Sequence, residues 1–110
     1  MELTRSEIKI MKIFWNAKRP LTRRDIVELN TDPTWEMAAL YSVINSLLSK
    51  GAIVESGISR NGRSLSREFE MKFALQDYIT ELLSPVDGFI DYPKLLHLLI
   101  KKTDDQSVGL

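Results

Sequence analysis

Two short stretches near the start of the chain carry the same pattern of polar and apolar residues, and this pattern predicts the beginning of a helix. In the first, the Thr4 hydroxyl can accept a hydrogen bond from the amide of Glu7, while the Glu7 carboxylate reaches back to the amide of Thr4 to complete a capping box. Thr22 and Asp25 can form the same arrangement further along. Apolar residues at helical spacing follow each box, so we expect helices to about residue 17 and about residue 29.

Residues 35–51 predict a third helix with one apolar face and one small, neutral face. The apolar residues lie on a single helical stripe, at Leu40, Val43, Ile44, Leu47 and Leu48. The opposite face carries mainly alanine, serine, asparagine and tyrosine, which suit a helix that enters a groove. Asp32 or Thr34 is available to cap the start of this helix, and Gly51 suits the left-handed position that ends one.

After the third helix, the spacing of apolar residues changes to that of a β-strand. Residues 52–59 and 64–71 predict two strands, joined by Asn61 and Gly62. This pair is typical of tight hairpins because both residues tolerate a positive φ. The order of three helices followed by a β-hairpin is that of a winged helix-turn-helix, whose third helix enters the DNA major groove while the hairpin, or wing, contacts backbone or minor groove.

The loop also sets which strand residues face each other. With Asn61 and Gly62 as the two loop residues, Ile58 faces Leu65 on one side of the hairpin. Val54 then faces Phe69 on the same side, further from the tip.

From residue 73 the helical period returns and predicts two strongly apolar helices. Ser84-Pro85 stops the first, and Asp91 is available to cap the second, in whose first turn Pro93 is tolerated. Helices this apolar should pack on each other and on a second copy of the chain. The residues expected at this dimer interface are Leu75, Tyr78, Ile79, Leu82, Leu83, Leu95, Leu96 and Leu99.

These patterns predict a mainly α (α+β) fold, a winged helix-turn-helix made of three helices and a β-hairpin wing, with C-terminal dimerisation helices. The predicted parts are a winged-helix DNA-binding domain at residues 1–72, a helical dimerisation region at 73–101 and a disordered tail at 102–110. With 110 residues and 44% hydrophobic content, the chain has enough apolar material for one such domain with an appended helical piece.

Composition excludes several classes of function. The chain has no cysteine and a single histidine, His97, so we expect no disulfide, no bound metal and no cysteine nucleophile. Catalytic and phosphate-binding motifs are absent, which predicts neither enzyme activity nor a cofactor. No signal-peptide core and no apolar run of roughly 20 residues occurs, so we expect a cytoplasmic protein without membrane contact.

The charge is balanced overall but unevenly distributed. Fifteen basic and fifteen acidic residues give a net charge of zero, which by itself argues against a nucleic-acid partner. Residues 1–75, however, hold 12 basic and nine acidic residues, whereas residues 76–110 hold three and six. The residues expected to contact the DNA backbone, directly or through the wing, are Thr22, Arg23, Arg24, Lys50, Arg60, Asn61, Gly62 and Arg63.

The outer face of the third helix supplies the candidates for base contacts in double-stranded DNA. These are Glu36, Met37, Ala38, Tyr41, Ser42, Asn45 and Ser46. Asn45 can pair with adenine, Met37 or Ala38 can contact a thymine methyl group, and Glu36 can accept from cytosine although it repels phosphate.

Four segments together resemble a known family. They are L-T-R-S-E-I-K-I-M-K-I-F-W at residues 3–15, L-T-R-R-D-I at 21–26, Trp35 followed by L-Y-S-V-I-N-S-L-L-S-K-G at 40–51, and Gly62-Arg63 before a strand that ends near Phe69. Over roughly residues 2–70 the chain is similar to the penicillinase-repressor and methicillin-resistance-repressor family (BlaI/MecI/CopY). The resemblance implies a bacterial transcriptional repressor that binds an inverted-repeat operator as a homodimer, with the C-terminal helices at the dimer interface.

The third helix departs from that family at four positions. Where the family offers a Ser or Thr cap, a Thr, a Lys or Arg and a further Arg, this chain has Glu36, Ala39, Tyr41 and Ser46. A winged-helix protein-interaction module that does not bind DNA is therefore the alternative. The cysteine motif of copper-responsive members is absent, which argues against copper sensing, and no residues match the cleavage site of proteolysed members.

Overall fold

The computed structural model describes residues 1–61 and 64–108, and the chain divides into two compact units, Met1–Ile79 and Thr80–Leu110. In chain order, the elements are α1 (Arg5–Ala17), β1 (Leu21–Thr22), α2 (Arg23–Leu29), α3 (Met37–Lys50), β2 (Ile53–Asn61), β3 (Ser64–Met71), α4 (Leu75–Leu83), a 3-10 helix (Ser84–Phe89) and α5 (Tyr92–Val108). In the described part of the chain, five α-helices and a three-stranded antiparallel sheet make a mainly helical α+β fold. The fold is consistent with a winged helix, which confirms the predicted class.

The first two helices begin at the predicted capping boxes. The amide of Thr4 donates to Glu7 Oε1 over 2.8 Å, and the amide of Glu7 donates to Thr4 Oγ1 over 3.1 Å. At α2, the Thr22 amide donates to Asp25 Oδ2 over 2.9 Å and the Asp25 amide donates to Thr22 Oγ1 over 3.1 Å. Each box satisfies two amides that the helix itself leaves without partners, so both helix starts are fixed locally.

The start of α3 differs from the prediction, whereas its end agrees. Neither Asp32 nor Thr34 caps the helix, because Asp32 Oδ1 accepts from the amide and the hydroxyl of Thr34 at 2.9 and 2.6 Å within the connecting turn. Glu36 occupies the N-cap position and makes no side-chain capping bond. Gly51 ends α3 with a φ of 76°, as predicted, in the left-handed region where a side chain would be strained.

The strands form one sheet in the order β1-β3-β2. The short strand β1, which the sequence analysis did not predict, pairs with β3 through Leu21 opposite Phe69. Two residues alternate too briefly to give a recognisable strand pattern, and the neighbouring β3 supplies the pairing.

The predicted register of the hairpin is wrong. Asn61 pairs with Ser64 inside the ladder, so that Arg60 faces Leu65 and Ile58 faces Arg67. The prediction placed Asn61 in the loop, and this error shifts the partner of every β2 residue near the tip by two positions along β3, for example from Arg67 to Leu65 for Ile58. Gly62, its predicted loop partner, lies outside the described residues.

An irregularity in β2 changes the register again further from the tip. It lies between Glu55 and Gly57, and it places Glu55, not the predicted Val54, opposite Phe69. An extra residue in one strand of this kind is a β-bulge, which the alternation of polar and apolar residues does not reveal.

The core of the unit Met1–Ile79 lies between α1, α3 and the sheet. Phe14, Ile44 and Phe69, one from each of these elements, are at most 1% exposed. Burying a side chain of this size contributes roughly 1.5–3 kcal/mol relative to leaving it in water. The core therefore fixes the inner stripe of α3 and, with it, the direction in which the outer face points.

In the unit Thr80–Leu110, helix α5 begins as predicted, with Asp91 Oδ1 accepting from the amide of Lys94 over 3.1 Å. The predicted break before α5 is a 3-10 helix, in which Phe89 is 92% exposed. The helix α5 continues to Val108, whereas the predicted helical region ends at residue 101. The boundaries of the predicted domains, after residues 72 and 101, stay predictions.

Candidate nucleic-acid interface

Five of the seven base-contact candidates lie on one exposed face of α3: Met37, Ala38, Tyr41, Ser42 and Asn45. Glu36 is exposed just before them. Because the inner stripe of α3 is held in the core, this face is presented to solvent without any side chain having to move. A helix with a small, exposed outer face can approach the floor of a DNA major groove closely.

Ser46 and Lys50 are engaged by α1 instead. Ser46 is half-buried, and its hydroxyl donates to Glu7 Oε2 over 2.8 Å. The Lys50 ammonium lies 2.6 Å from Glu7 Oε1 and 3.0 Å from the backbone oxygen of Glu2. The polar groups of both side chains therefore form hydrogen bonds that connect the end of α3 to the start of α1.

The acceptor in this connection is a buried carboxylate. Glu7 is only 2% exposed, and burial by itself raises the pKa of its carboxyl group. Hydrogen bonds from Lys50, from the backbone and side chain of Thr4, and from Ser46 act in the opposite direction and lower that pKa from 4.5 to about 2. Glu7 is thus ionised at neutral pH, and its charge is stabilised by donors from both helices.

Three of the predicted contacts to the DNA backbone lie at the start of α2: Thr22 is buried, Arg23 is half-buried and Arg24 is exposed. Thr22 is buried, and its hydroxyl makes the capping bond. Arg24 forms an exposed pair with Glu28, its Nε 3.1 Å from Glu28 Oε1. Such exposed pairs contribute little and are easily exchanged for another anion, so Arg24 is accessible to a phosphate.

Arg23 is the basic residue that the structure brings to the neutral face of α3. Its Nη2 donates to Asn45 Oδ1 over 3.3 Å, and its guanidinium carbon lies 4.9 Å from the ring centroid of Phe69. The core ring thus supports the guanidinium from one side, while the hydrogen bond directs it toward α3. Both residues were predicted to contact DNA, but their contact with each other was not predicted, because they lie 22 positions apart.

The wing carries an exposed face that combines arginine and apolar side chains. The pairs Arg60 with Leu65 and Ile58 with Arg67 lie on the same face, because residues two apart in a strand point the same way. Ile58 is 67% exposed and Leu65 63% exposed.

Ile58 and Leu65 were missing from the predicted site. The predicted register paired them with each other as strand residues and gave no reason to expect them in water. The predicted candidates Gly62 and Arg63, and the side chain of Asn61, lie outside the described residues.

The residues predicted at the dimer interface fall into two groups. Leu75, Ile79, Leu82, Leu96 and Leu99 are each between 37% and 58% exposed, and Leu83 and Leu95 are partly exposed. Tyr78 is only 6% exposed.

Tyr78 belongs to the core of the unit Met1–Ile79. The amide of Leu3 donates to its hydroxyl over 3.3 Å, and its ring stacks on Phe73 with centroids 5.9 Å apart. Its surface is therefore already covered within the chain. Phe89 and Val86 are exposed apolar residues that the sequence analysis passed over, because they lie in the predicted break between helices.

Two other features are absent from the described residues: a cluster of metal-ligating side chains and a helix able to cross a membrane. No three or more Asp, Glu, His or Cys side chains there are grouped closely enough to hold a metal ion. None of the helices in that part of the chain has the length and hydrophobicity needed to cross a membrane.

The chain is similar to one family of known proteins. A family model described as penicillinase repressor matches residues 3–79, a span that includes α1, the sheet and the outer face of α3. No curated protein matches the chain.

Proposed function

The chain belongs to the penicillinase repressor family, and from this we propose that it represses bacterial transcription by binding an inverted-repeat operator in double-stranded DNA as a homodimer. Each protomer places the outer face of α3 in a major groove and its wing on the flanking DNA. A repressor of this kind acts on the DNA of the cytoplasm. The family is one of transcriptional repressors and gives no support to an enzymatic activity.

The observation that carries the proposal is the contact between Arg23 and Asn45. It supplies a guanidinium to a helix face that has no basic residue of its own within residues 37–49. Asn45 is suited to an adenine edge, and Arg23 beside it is suited to a phosphate or a guanine edge. Together they compensate for the family's basic residues that α3 lacks.

The wing supports the same proposal through its composition. Arg60 offers a charge to the phosphates of a minor groove, and Ile58 and Leu65 are the kind of apolar side chain that enters such a groove between base steps. Exposing two aliphatic side chains has a cost in water, and contact with the sugar and base edges of DNA removes it.

The test is a binding titration with Arg60→Glu, using an operator selected from random double-stranded DNA. At low ionic strength, we expect the dissociation constant to rise about tenfold or more, because a dimer loses two phosphate contacts and gains two repulsions. Circular dichroism should show an unchanged fold, since Arg60 is exposed. The matched control is Arg5→Glu, which changes the net charge equally at an exposed position in the first turn of α1.

A second function is favoured by different residues. Met37 is 56% exposed and Tyr41 is 37% exposed, so the outer face of α3 also offers apolar area to a protein partner. If selection yields no DNA that the wild-type chain binds in a salt-dependent manner, the repressor proposal is contradicted and the protein-interaction module is favoured. If Arg60→Glu and Arg5→Glu weaken binding equally, the assignment of the wing is contradicted.

The proposed dimer rests on the apolar surface of α5. In the unit Thr80–Leu110, Tyr92, Leu95, Leu96 and Leu99 line an almost entirely apolar groove. A second copy of the chain covers such a surface with an identical one, which is the usual arrangement of a twofold dimer. The proposed boundary between the DNA-binding domain and the dimerisation region lies after residue 72.

A further inference from the structure

A cleft of about 450 Å³ lies in the unit Met1–Ile79, between α1 and the segment that connects α2 to α3. This volume is within the roughly 300–1,000 Å³ typical of small-molecule sites. None of the residues assigned above to DNA contact or to the dimer interface lines it. The cleft is therefore separate from the residues proposed to contact DNA or a second copy of the chain.

The charged residues of the cleft leave one positive charge without a partner. Lys9 Nζ lies 3.0 Å from Asp32 Oδ2, so these two charges neutralise each other. Hydrogen bonds from Thr34, followed by that from Lys9, lower the pKa of Asp32 to about 2, which keeps it ionised at neutral pH. Lys12, one helical turn from Lys9, is exposed and forms no ion pair within the described residues. The charged lining therefore has a net charge of +1.

The rest of the lining offers an apolar surface beside that charge. Ile13 and Ala17 are partly buried on α1, and Leu29 is 42% exposed at the end of α2. We propose that the cleft binds a small organic monoanion, a carboxylate with a compact apolar body. Lys12 holds the carboxylate and Leu29 covers the apolar body. A monoanion neutralises the lining, whereas a neutral molecule of the same shape leaves Lys12 unpaired.

Occupation of the cleft is transmitted to the start of α3 through the Lys9–Asp32 pair. The Lys9 ammonium lies 5.3 Å from the ring centroid of Trp35, and Asp32 holds Thr34 in the connecting turn. The carboxylate of the ligand, bound near Lys9, competes with Asp32 for the Lys9 ammonium. It thereby weakens the contacts of Lys9 with Asp32 and with Trp35. Because Glu36 provides no side-chain cap, the first turn of α3 depends on this turn for its position. The ligand thereby alters the end of α3 that carries Met37.

The test uses benzoate as the probe and benzamide as its neutral isostere, titrated into the full chain and followed by ¹H–¹⁵N NMR spectroscopy. We expect benzoate to shift the amides of Lys12 and Leu29 in a saturable manner and to shift the indole N–H of Trp35. The indole N–H of Trp15, which is bonded to the Phe73 oxygen, should stay in place. Lys12→Gln should raise the dissociation constant for benzoate about fivefold, which is the effect of losing one exposed charge pair.

The matched control is Lys72→Gln, which removes the same charge from an exposed residue outside the cleft. Equal shifts with benzamide, no saturable shift at Leu29, or equal weakening by the two substitutions would overturn the site. Shifts confined to α1, with Trp35 unchanged, would overturn the connection to α3. No DNA is present in this experiment, so its outcome is independent of the proposed repressor function.

Discussion

At the scale of single residues, Lys50 has a partner in the structure that its position in the sequence does not indicate. A lysine in the last turn of a recognition helix is well placed for phosphate and for the helix dipole. The structure adds a third partner, the buried carboxylate of Glu7, at 2.6 Å. A buried carboxylate without a cation is costly, so this contact dominates over any contact with solvent or phosphate.

Lys50→Met should accordingly destabilise the fold more than it weakens DNA binding. The methionine keeps the apolar stem but removes the only cation bound to Glu7 among the described residues, leaving the carboxylate with the uncharged donors of Ser46 and Thr4. We expect a loss of about 1–3 kcal/mol in the free energy of unfolding. Urea denaturation measures this loss. Lys72→Met, which removes an exposed lysine, should cost less than about 0.5 kcal/mol. A Lys50→Met protein that is fully stable but fails to bind DNA would instead identify Lys50 as a phosphate contact.

Glu7 also predicts how stability depends on pH. Its pKa falls from 4.5 to about 2 on folding, so the folded state favours the ionised form. The resulting stabilisation is complete above pH 4.5 and is lost as the pH falls toward 2. We expect the stability advantage of the wild type over Glu7→Gln to decrease by about 1–3 kcal/mol between pH 7 and pH 3 in urea titrations. An advantage that is constant with pH would show that Glu7 acts only through its shape.

At the scale of elements, the sequence predicted those features whose determinants are local. Each capping box lies within four residues, and α1 and α2 begin where the boxes place them. Gly51 likewise ends α3 through its own backbone freedom. The inner stripe of α3 was predicted because its spacing alone defines a face, and Leu40, Ile44 and Leu47 are buried.

The features that the sequence did not predict depend on partners far away in the chain. Strand β1 exists only because β3 pairs with it, and the bulge before Gly57 follows from fitting β2 to β3. The same holds for the candidate site: Ser46 bonds to Glu7 39 positions away, and Arg23 meets Asn45 across 22 positions. Composition identified these residues as polar and available, but only the fold decides which partner each one has.

The uncapped start of α3 gives an element-level prediction. Glu36 has the extended backbone of an N-cap residue, with φ −77° and ψ 154°, but no capping bond. Glu36→Ser should stabilise the protein by about 0.5–1 kcal/mol, because the short hydroxyl reaches the free amides of the first turn. Thermal or urea unfolding measures the gain.

Glu36→Gln is the control that separates capping from charge. Glutamine removes the carboxylate but is not a preferred capping residue, so it should not stabilise the protein. Both substitutions remove a negative charge from the start of α3, the helix proposed to lie in the DNA major groove. Both should therefore strengthen DNA binding to a similar extent. Equal stability of the two variants would show that the start of α3 is not limited by its cap.

At the scale of the whole molecule, zero net charge and binding to DNA are compatible because the charges are not evenly spread. The basic excess lies in residues 1–75 and the acidic excess in residues 76–110. A protomer with a locally basic surface and few contacts binds DNA weakly, so a repressor of this composition depends on joining two protomers. The proposed repressor function therefore requires the proposed dimer, which would also cover the apolar face of α5.

Leu99→Glu tests this dependence, because Leu99 is 53% exposed on the apolar face of α5. A charge there should produce a folded monomer at micromolar concentration, where we expect the wild type to be a dimer in sedimentation velocity experiments. Leu65→Glu is the control, since it places the same charge on a 63% exposed leucine in the wing. A wild-type chain that sediments as a monomer would contradict the proposed interface.

The salt dependence of DNA binding then counts the contacts in each state. If about four phosphates are neutralised per protomer, the wild-type dimer should show a slope of about −7 in log K against log salt, because each contact contributes about −0.9. The monomeric Leu99→Glu protein should show about half that slope, since each protomer binds its half-site alone. Equal slopes in the two proteins would mean that a single protomer makes all the contacts, and the two-protomer operator would then be contradicted even if both proteins bind DNA.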